Sequence, residues 1–390
     1  MSKLRKHHKR LGSDDMRHEN VVDLSYLNMT EKEPLEISYD CAQIYFRDKD
    51  RYEEDLRYLE SSSYIIYNEA DSIACIHKTT GRKFTIIDDL DSVRDMFDKK
   101  KITVYADMMF YVIGDDLYYV DLDTGCSGLV LSFDSADNPY NNKKEIKNIC
   151  IHKSGKLIYK NGFNYIVDLK RGISSAKKMD VHFETENYFL IGDYVYYLEG
   201  DYDYIDERNT DKHNYLKYKI KRYSIDSGLV TDVSDRFGEA DMTDSIFSVY
   251  YDLCFEGVFD HYYCVVFENS SIGSIERSGY HCFYVDLSGS GISHAHRFYI
   301  WNSHIYQIEQ HRNNLIYVNA DNGYKLVKHN FVSDKKSTII RKYGMTEKST
   351  FFDRFAMGKG EFQNPNKYMR LGNWLWIKET GKYNPQIIAV

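Results

Sequence analysis

The chain of 390 residues is long enough to bury a large core, and it is rich in aromatic residues, with 36 tyrosines and 20 phenylalanines. The formal net charge is −8, which excludes a general electrostatic attraction to nucleic acid. No apolar run reaches the length of a membrane span, and the amino-terminal residues lack the apolar core of a signal peptide. We therefore expect a cytoplasmic globular protein without a membrane-spanning segment.

Seven cysteines are scattered along the chain without close pairs. A disulfide framework normally uses an even number of cysteines in a much smaller domain. The pattern favours free thiols in a reducing compartment. The residues concerned are Cys41, Cys75, Cys126, Cys150, Cys254, Cys264 and Cys282.

The amino terminus is basic, with six lysines and arginines against two aspartates in the first 18 residues. One interpretation is an arm that binds an anionic partner. A solvated tail is the favoured interpretation, because chain termini are usually loose and this one has almost no apolar side chains. We expect residues 1–20 to form a flexible tail, and deletion of residues 1–18 to leave the stability unchanged.

Residues 21–60 form a second segment, which lacks the repeat found in the rest of the chain. Ile37–Phe46 has the composition of a strand. A short helix capped at 48 or 50 is expected to follow, with Tyr52, Leu56 and Leu59 on one face. We predict that this segment packs on the repeats or completes the first of them.

Residues 61–390 contain a degenerate repeat in which a strand ends in a tight turn and a second strand follows, as in Asp116–Gly125. The turns recur at 81, 125, 172, 228, 289, 335 and 381, so the steps lie between 44 and 61 residues. One small antiparallel sheet in each period of this length is typical of a β-propeller. We predict an all-β propeller with seven four-stranded blades and a few short helices, at Asp88–Lys100 and Thr346–Met357 among them.

Two neighbouring repeats are longer than the others because each has an insertion between its second and third strands, at Glu199–Asn214 and Asn269–Gly279. Equivalent turns lie on one face of a propeller, so we expect these two loops to be neighbours. The first loop is acidic and contains tyrosines, a combination that suits a basic protein surface and repels nucleic acid. We predict a partner-binding surface at Asp201, Tyr202, Asp203, Tyr204, Asp206 and Glu207.

Motifs that carry catalytic or metal chemistry are missing from the sequence, including the nucleophile elbow, the Walker loop and His-Glu-x-x-His. His294 and His296 would share one face of a strand, with His304 nearby, but no carboxylate or cysteine close in sequence completes a metal site. The acidic insertion lacks the glycine and the final glutamate of a calcium loop. We predict no catalytic residues, no cofactor and no metal site.

Three segments resemble the repeat of a bacterial β-propeller domain of unknown function. They are Asn314–Lys328 (NLIYVNADNGYKLVK), Gly192–Tyr197 (GDYVYY) and Asp116–Asp121 (DLYYVD). They are also distantly similar to propellers with Tyr-Trp-Thr-Asp repeats, although that tetrapeptide does not occur here. The resemblance covers roughly residues 61–390. Because the bacterial family has no assigned activity, the resemblance implies a propeller fold and no catalytic residues.

Two classes of function fit these observations. A non-enzymatic platform for protein interactions is favoured, because catalytic motifs are missing and two expanded loops fall at equivalent positions. The alternative is a carbohydrate-binding or glycan-processing propeller whose carboxylates and aromatic side chains meet at the central channel. The sequence leaves the oligomeric state and the identity of the partner open.

Overall fold

The structure is a computed structural model that describes residues 32–52, 58–69, 71–88, 93–140, 144–181, 188–201, 217–232, 254–255, 262–269, 279–286, 296–300, 305–311, 313–319, 325–340, 367–378 and 385–390. Strands dominate this part of the chain. Helix α1 spans Tyr39–Tyr52, helix α2 spans Val93–Asp98, and a 3-10 turn covers Ile173–Ser175.

The first three sheets each contain four antiparallel strands in chain order. The first sheet has β1 (Tyr58–Glu60), β2 (Tyr64–Glu69), β3 (Ser72–His77) and β4 (Lys83–Ile87). The second has β5 (Ile102–Tyr105), β6 (Met108–Ile113), β7 (Asp116–Asp121) and β8 (Ser127–Ser132). The third has β9 (Lys147–Ile151), β10 (Lys156–Asn161), β11 (Phe163–Asp168) and β12 (Lys177–Lys178). Small antiparallel sheets of four strands are what the repeat in the sequence predicted.

The remaining sheets continue the same order. The fourth has β13 (Tyr188–Ile191), β14 (Tyr194–Asp201), β15 (Lys217–Ser224) and β16 (Val230–Asp232). The fifth has β17 (Cys254–Phe255), β18 (Tyr262–Asn269), β19 (Gly279–Asp286) and β20 (His296–Ile300). The sixth has β21 (Ile305–His311), β22 (Asn314–Asn319), β23 (Lys325–Asn330) and β24 (Lys335–Ile340). The seventh has three strands within the described residues, β25 (Lys367–Leu371), β26 (Trp374–Lys378) and β27 (Gln386–Ala389).

A hydrogen bond at one fixed position shows that the sheets are copies of one unit. In six of them, the backbone N–H just after the third strand donates to the backbone carbonyl of the residue just before the second strand, at 2.8–3.0 Å. The bonds run from Lys78 to Ser63, Leu122 to Asp107, Leu169 to Gly155, Ile225 to Asp193, Phe331 to Asn313 and Val390 to Asn373. Each bond holds two turns of one sheet together at the same end.

The turn after the third strand is the feature from which the repeat was predicted. In the first two sheets Gly81 and Gly125 close this turn, each donating its N–H to the carbonyl of the last strand residue. Both glycines have positive φ, 64° and 72°, a conformation that costs other L-residues energy. In the sixth sheet Asp334 takes the positive φ of 50°, one residue before the predicted position. Aspartate tolerates this region better than most residues, so the repeat survives there without glycine.

The segment before the first sheet differs from the prediction. The strand expected at Ile37–Phe46 is wrong, because α1 begins at Tyr39. The Ser38 Oγ accepts a hydrogen bond from the Cys41 N–H at 3.2 Å, as an N-cap does. The prediction that a helix includes Leu59 is also wrong. Leu59 belongs to β1, which completes the first sheet. The helix predicted at Asp88–Lys100 is confirmed in its centre by α2, and Thr346–Met357 lies outside the described residues.

The hydrophobic core consists of clusters between consecutive sheets. One cluster joins the first sheet to the second through α2, and others join the second to the third, the third to the fourth, and the sixth to the seventh. First strands of neighbouring sheets contact each other, β1 with β5 and β5 with β9. The first four sheets therefore pack against one another in chain order, as do the sixth and seventh, and the first strands of the first three sheets are in contact.

Helix α1 joins the two ends of this series. Its buried residues form one cluster with side chains of the first sheet and with Leu371 and Trp376 of the seventh. The indole Nε1 of Trp374 donates to the carbonyl of Ile37 at 2.6 Å. A Cβ added at Gly372, where φ is +55°, would lie 2.5 Å from the Ile37 Cδ1, so this contact is close. The first and last sheets thus share a core, although they are far apart in sequence.

Candidate functional site

Of the predicted partner-binding residues, the structure describes only Asp201, in the fourth sheet. Asp201 is the last residue of β14, and its Cα is paired with that of Lys217, the first residue of β15. Tyr202, Asp203, Tyr204, Asp206 and Glu207 lie outside the described residues. Whether they bind a partner stays a prediction.

The two insertions interrupt equivalent hairpins, as predicted. Strands β14 and β15 have eight residues each, and so do β18 and β19. The corresponding strands of the first three sheets have six. The first insertion is shorter than predicted because Glu199, Gly200 and Asp201 extend β14, where they pair with Lys219, Tyr218 and Lys217 of β15.

We call the end of each sheet that carries the turn between the second and third strands the second-turn side. The first strand starts on this side, because successive strands are antiparallel. Six lysines of the second and third sheets lie on the second-turn side. Five of them precede or begin the first strand of their sheet, and the sixth lies near the end of β10. They are Lys99, Lys100, Lys101, Lys144, Lys147 and Lys160. No single motif in the sequence marks this group, because its members are spread over three segments.

Glu145 partly neutralises the lysines of this group. Its Oε1 lies 2.6 Å from Lys101 Nζ and 2.9 Å from Lys99 Nζ. The hydrogen bonds from Lys101 and Lys99 lower the pKa of Glu145 and keep it ionised. The carbonyls of Lys99 and Lys100 accept from the N–H groups of Asn148 and Ile149, both at 2.9 Å. The lysines of the second and third sheets are therefore neighbours.

The opposite end, which we call the first-turn side, has a buried carboxylate at Asp107. Asp107 accepts hydrogen bonds from the hydroxyls of Ser61 and Ser63, from the Ser63 N–H, each at 2.8 Å, and from Lys32 Nζ at 3.0 Å. Burial alone would raise the pKa of Asp107, but these hydrogen bonds outweigh it and lower the pKa. Every donor comes from the first sheet or the segment before it, so Asp107 fixes the second sheet to both.

Asp193 occupies the same position in the fourth sheet as Asp107 does in the second. Its Oδ1 lies 3.0 Å from Lys153 Nζ and 3.2 Å from His152 Nε2, both in the third sheet. The hydrogen bond from Lys153 has the largest effect, and together with the contact to His152 it lowers the pKa of Asp193. Carboxylates on the first-turn side thus connect neighbouring sheets, which is a structural role.

Two further carboxylates approach each other around Lys83 in the first sheet. Lys83 Nζ lies 2.6 Å from Asp48 Oδ2 and 2.5 Å from Glu69 Oε1. The hydroxyl of the buried Tyr67 donates to Asp48 at 2.7 Å, and burial together with this bond raises the pKa of Tyr67 well above its usual range. Each of these four side chains has a hydrogen-bond partner within the cluster, and the cluster therefore anchors α1 on the first sheet.

The described residues also bear on a metal site and on a membrane span. Among them, no group of three or more His, Cys, Asp or Glu side chains is arranged to hold a metal ion. His296 is the first residue of β20, whereas His294 and His304 lie outside the described part of the chain. No described helix is long and apolar enough to cross a membrane.

Neither a family model nor a curated protein matches this chain. Among solved structures, the tricorn protease matches with 10% identity and a TM-score of 0.44, over 86% of this chain and 35% of that one. The chain therefore spans about a third of the length of that protease.

The β-propeller domain of the Trilobed protease from Pyrococcus furiosus matches with 9% identity and a TM-score of 0.43, over 85% of this chain and 93% of that one. An uncharacterized protein, lmo1340 from Listeria monocytogenes, matches with 10% identity and a TM-score of 0.37, over 80% of this chain and 86% of that one. The resemblance to propellers with Tyr-Trp-Thr-Asp repeats gains no support from a family match.

Proposed function

We propose that this chain is a seven-bladed β-propeller that serves as a platform for protein interactions. The core clusters between consecutive sheets, together with the contact of the first and last sheets through α1, support a closed ring of blades. In such a ring residues 61–390, with β1, form the propeller, and residues 1–20 form a basic tail. The free thiols of Cys41, Cys75, Cys126 and Cys150 fit a reducing compartment such as the cytoplasm.

The observation that carries the proposal is the pair of extended hairpins in the fourth and fifth sheets. Both have the same strand length and the same position in the repeat, so a ring places their tips side by side. The loop after β14 has four acidic residues between 202 and 216 against two basic ones, and it contains Tyr202 and Tyr204. Acidic and aromatic side chains together fit a basic protein partner.

The strand register permits a direct test. Asp201↔Lys217 and Asn269↔Gly279 are paired positions, so residues 202–216 and 270–278 can each be replaced by Asn-Gly, the usual two-residue hairpin turn. We expect the shortened protein to fold like the original and to lose binding to a fluorescent peptide of alternating lysine and leucine. Fluorescence anisotropy measures this binding, and circular dichroism checks the fold.

A matched variant separates charge from loop length. It keeps the length of both loops but replaces Asp203, Asp206, Glu207 and Asp211 by their amides. We expect it to bind the peptide at least tenfold more weakly, a change of about 1.4 kcal/mol in binding free energy. Undiminished binding by the shortened protein would refute the proposal. The carbohydrate alternative predicts binding to a glycan array instead, unaffected by the hairpin replacement.

A further inference from the structure

The second sheet is strongly acidic. Residues 102–140, which contain its four strands, include seven aspartates and no lysine, arginine, histidine or glutamate, whereas the whole chain carries −8. Lys32 binds two of these aspartates, Asp107 and Asp123. Asp115 and Asp116, on the second-turn side, form no ion pair within the part of the chain that the structure describes. The protein itself therefore compensates the negative charge of this sheet only in part.

The outer strand of this sheet, β8, has an open edge. Among the described strands, β8 pairs only with β7. The carbonyl of Cys126, just before β8, accepts a hydrogen bond from the N–H of Asp121 in β7 at 2.8 Å. Backbone groups of successive residues point to opposite sides of a strand, so Ser127 and Leu129 direct theirs away from β7. Both residues are exposed, Leu129 to 41%.

The outer strands of the first and sixth sheets, β4 and β24, have a charge that β8 lacks. In all three, the register shifts between the second and third residues of the neighbouring third strand, so the positions before the shift are equivalent. Where β8 has Ser127, the other two have lysine, Lys83 and Lys336. Where β8 has Leu129, they have threonine, at 85 and 338. Lysines on an outer strand protect it from pairing with another strand, and β8 has no such protection.

We propose that the edge of β8 at Ser127–Leu129 accepts one additional strand from a basic partner protein. The outward backbone groups of Ser127 and Leu129 hydrogen-bond to the added strand, which is a common mode of peptide recognition. An apolar side chain of the partner packs beside the exposed Leu129. Basic residues on either side of the added strand face Asp123, in the turn before β8, and Asp115, whose carbonyl accepts from the N–H just after β8.

Charge favours a basic segment over the other possible occupants. If a second copy of the chain paired antiparallel through the same edge, the Asp123 end of one β8 would meet the Asp115 end of the other, and like charges would repel. The same aspartates repel nucleic acid. The extra residue at the register shift, Val130, bends the edge, so the added strand is short. This edge belongs to the second sheet, and the proposal does not depend on the hairpins of the proposed function.

Binding is measured by fluorescence anisotropy with three labelled peptides. The first alternates valine and threonine and has a pair of lysines at each end. The second has the same sequence with every valine and threonine N-methylated, so it keeps the charge but cannot pair with a strand. The third has glutamates in place of the lysines. We expect the first peptide to bind about tenfold or more tightly than either of the others.

Two variants test the edge in the full chain. Ser127→Lys introduces the lysine found at the equivalent position of β4 and β24, and Leu129→Pro removes an outward N–H without a change of charge. Each should weaken binding of the first peptide about tenfold or more. Circular dichroism checks the fold, and the thermal midpoint of Ser127→Lys should stay unchanged because the residue is exposed.

Each variant has a matched control. Ser174→Lys makes the same charge change at an exposed serine of the third sheet and should leave binding within about twofold. Leu129→Thr introduces the residue of the equivalent strands but keeps the N–H, so it should weaken binding less than Leu129→Pro. The protein with both hairpins shortened should bind the first peptide as the full chain does, which separates this proposal from the proposed function.

Several outcomes would overturn the proposal. Equal binding of the N-methylated peptide would indicate charge attraction without strand pairing. An equal loss in Ser127→Lys and Ser174→Lys, or no binding of any peptide, would exclude this edge as the site. Binding that appears only after deletion of residues 1–20 would make the basic tail of the chain the occupant. Self-association that Ser127→Lys abolishes, seen by analytical ultracentrifugation, would make it a second copy.

Discussion

At the scale of single residues, one position in the repeat combines a conserved backbone role with a variable side chain. The residue before the second strand supplies its carbonyl in each of six described sheets, and it is Ser63, Asp107, Gly155, Asp193, Asn313 or Asn373. These are all typical turn residues, so the backbone bond constrains the side chain only loosely. Where the side chain is Asp107, its buried carboxylate joins two sheets; where it is Asp193, the contact remains half exposed.

Replacement of Asp107 by alanine should therefore be far more costly than the same change at Asp193. Asp107→Ala leaves the Ser63 N–H and two buried hydroxyls without their acceptor, and we expect the free energy of unfolding to fall by about 2–4 kcal/mol. Asp193→Ala removes an ion pair whose two side chains are each 49% exposed, so we expect a loss of about 0–1 kcal/mol. Urea denaturation measures both, and equal losses would contradict the proposed role of Asp107.

The same carboxylate predicts a dependence on pH. The pKa of Asp107 is lower in the folded protein than the usual value of about 3.9, so its ionisation stabilises the fold above that value. This contribution is lost as the pH falls through the lowered pKa. The difference in unfolding free energy between the original protein and Asp107→Asn should thus be constant near neutral pH and shrink below about pH 4. A difference that grows on acidification would show that the carboxylate is not stabilised by folding.

At the scale of secondary structure, the sequence predicted the strands well and the segment around α1 poorly. Strands such as β6 and β7 are rich in apolar and aromatic residues and are followed by glycine turns, so both signals agree. Helix α1 buries Cys41, Ala42, Tyr45 and Phe46, which is a helical spacing, but its aromatic residues favour strands. Packing of this face between two sheets outweighs the local preference. Strand β1 has only three residues, too few for a periodic pattern.

The residues before α1 should contribute to stability, whereas the basic tail should not. Leu35 N–H donates to the Ser62 carbonyl at 2.8 Å, the Ile37 carbonyl accepts from Trp374, and the Ile37 side chain is 6% exposed. We expect deletion of residues 1–37, which keeps the Ser38 cap, to cost about 3–5 kcal/mol, from lost hydrogen bonds and lost apolar burial. Deletion of residues 1–18 should change stability by less than about 0.5 kcal/mol.

Differential scanning calorimetry of the two deletions decides between these contributions. If removal of residues 1–18 costs as much as removal of residues 1–37, the tail itself docks on the sheets. If neither deletion has an effect, the contacts of Leu35 and Ile37 do not stabilise the protein.

At the scale of the whole molecule, the surfaces proposed for binding could not be predicted fully from the sequence. The acidic insertions are continuous, so composition alone identified them. The group of lysines on the second-turn side combines three segments of the chain, and the pairing of Lys160 with Lys147 depends on a register that shifts between Ile158 and Lys160. No sequence pattern gives that shift or places Lys178 over Phe163. A surface assembled from different strands can be identified only in the folded structure. The repeat period and the turn residues are local features, so they can be identified in the sequence itself.

The cluster that α1 forms with the first and seventh sheets leads to a final prediction about the molecule as a whole. Tyr45 is fully buried in the cluster that joins the first and seventh sheets, and Tyr45→Ala should destabilise this junction by about 3–5 kcal/mol. In a repeat protein each unit is stabilised by its neighbours, so loss of the junction weakens both sheets that meet there. Hydrogen exchange should therefore accelerate in β1–β3 and in β25–β27 together, although these segments are about 300 residues apart.

Tyr159→Ala, in the core between the second and third sheets, is the matched control and should accelerate exchange only in those two sheets. Faster exchange in the first sheet alone after Tyr45→Ala would show that α1 caps that sheet without closing the ring.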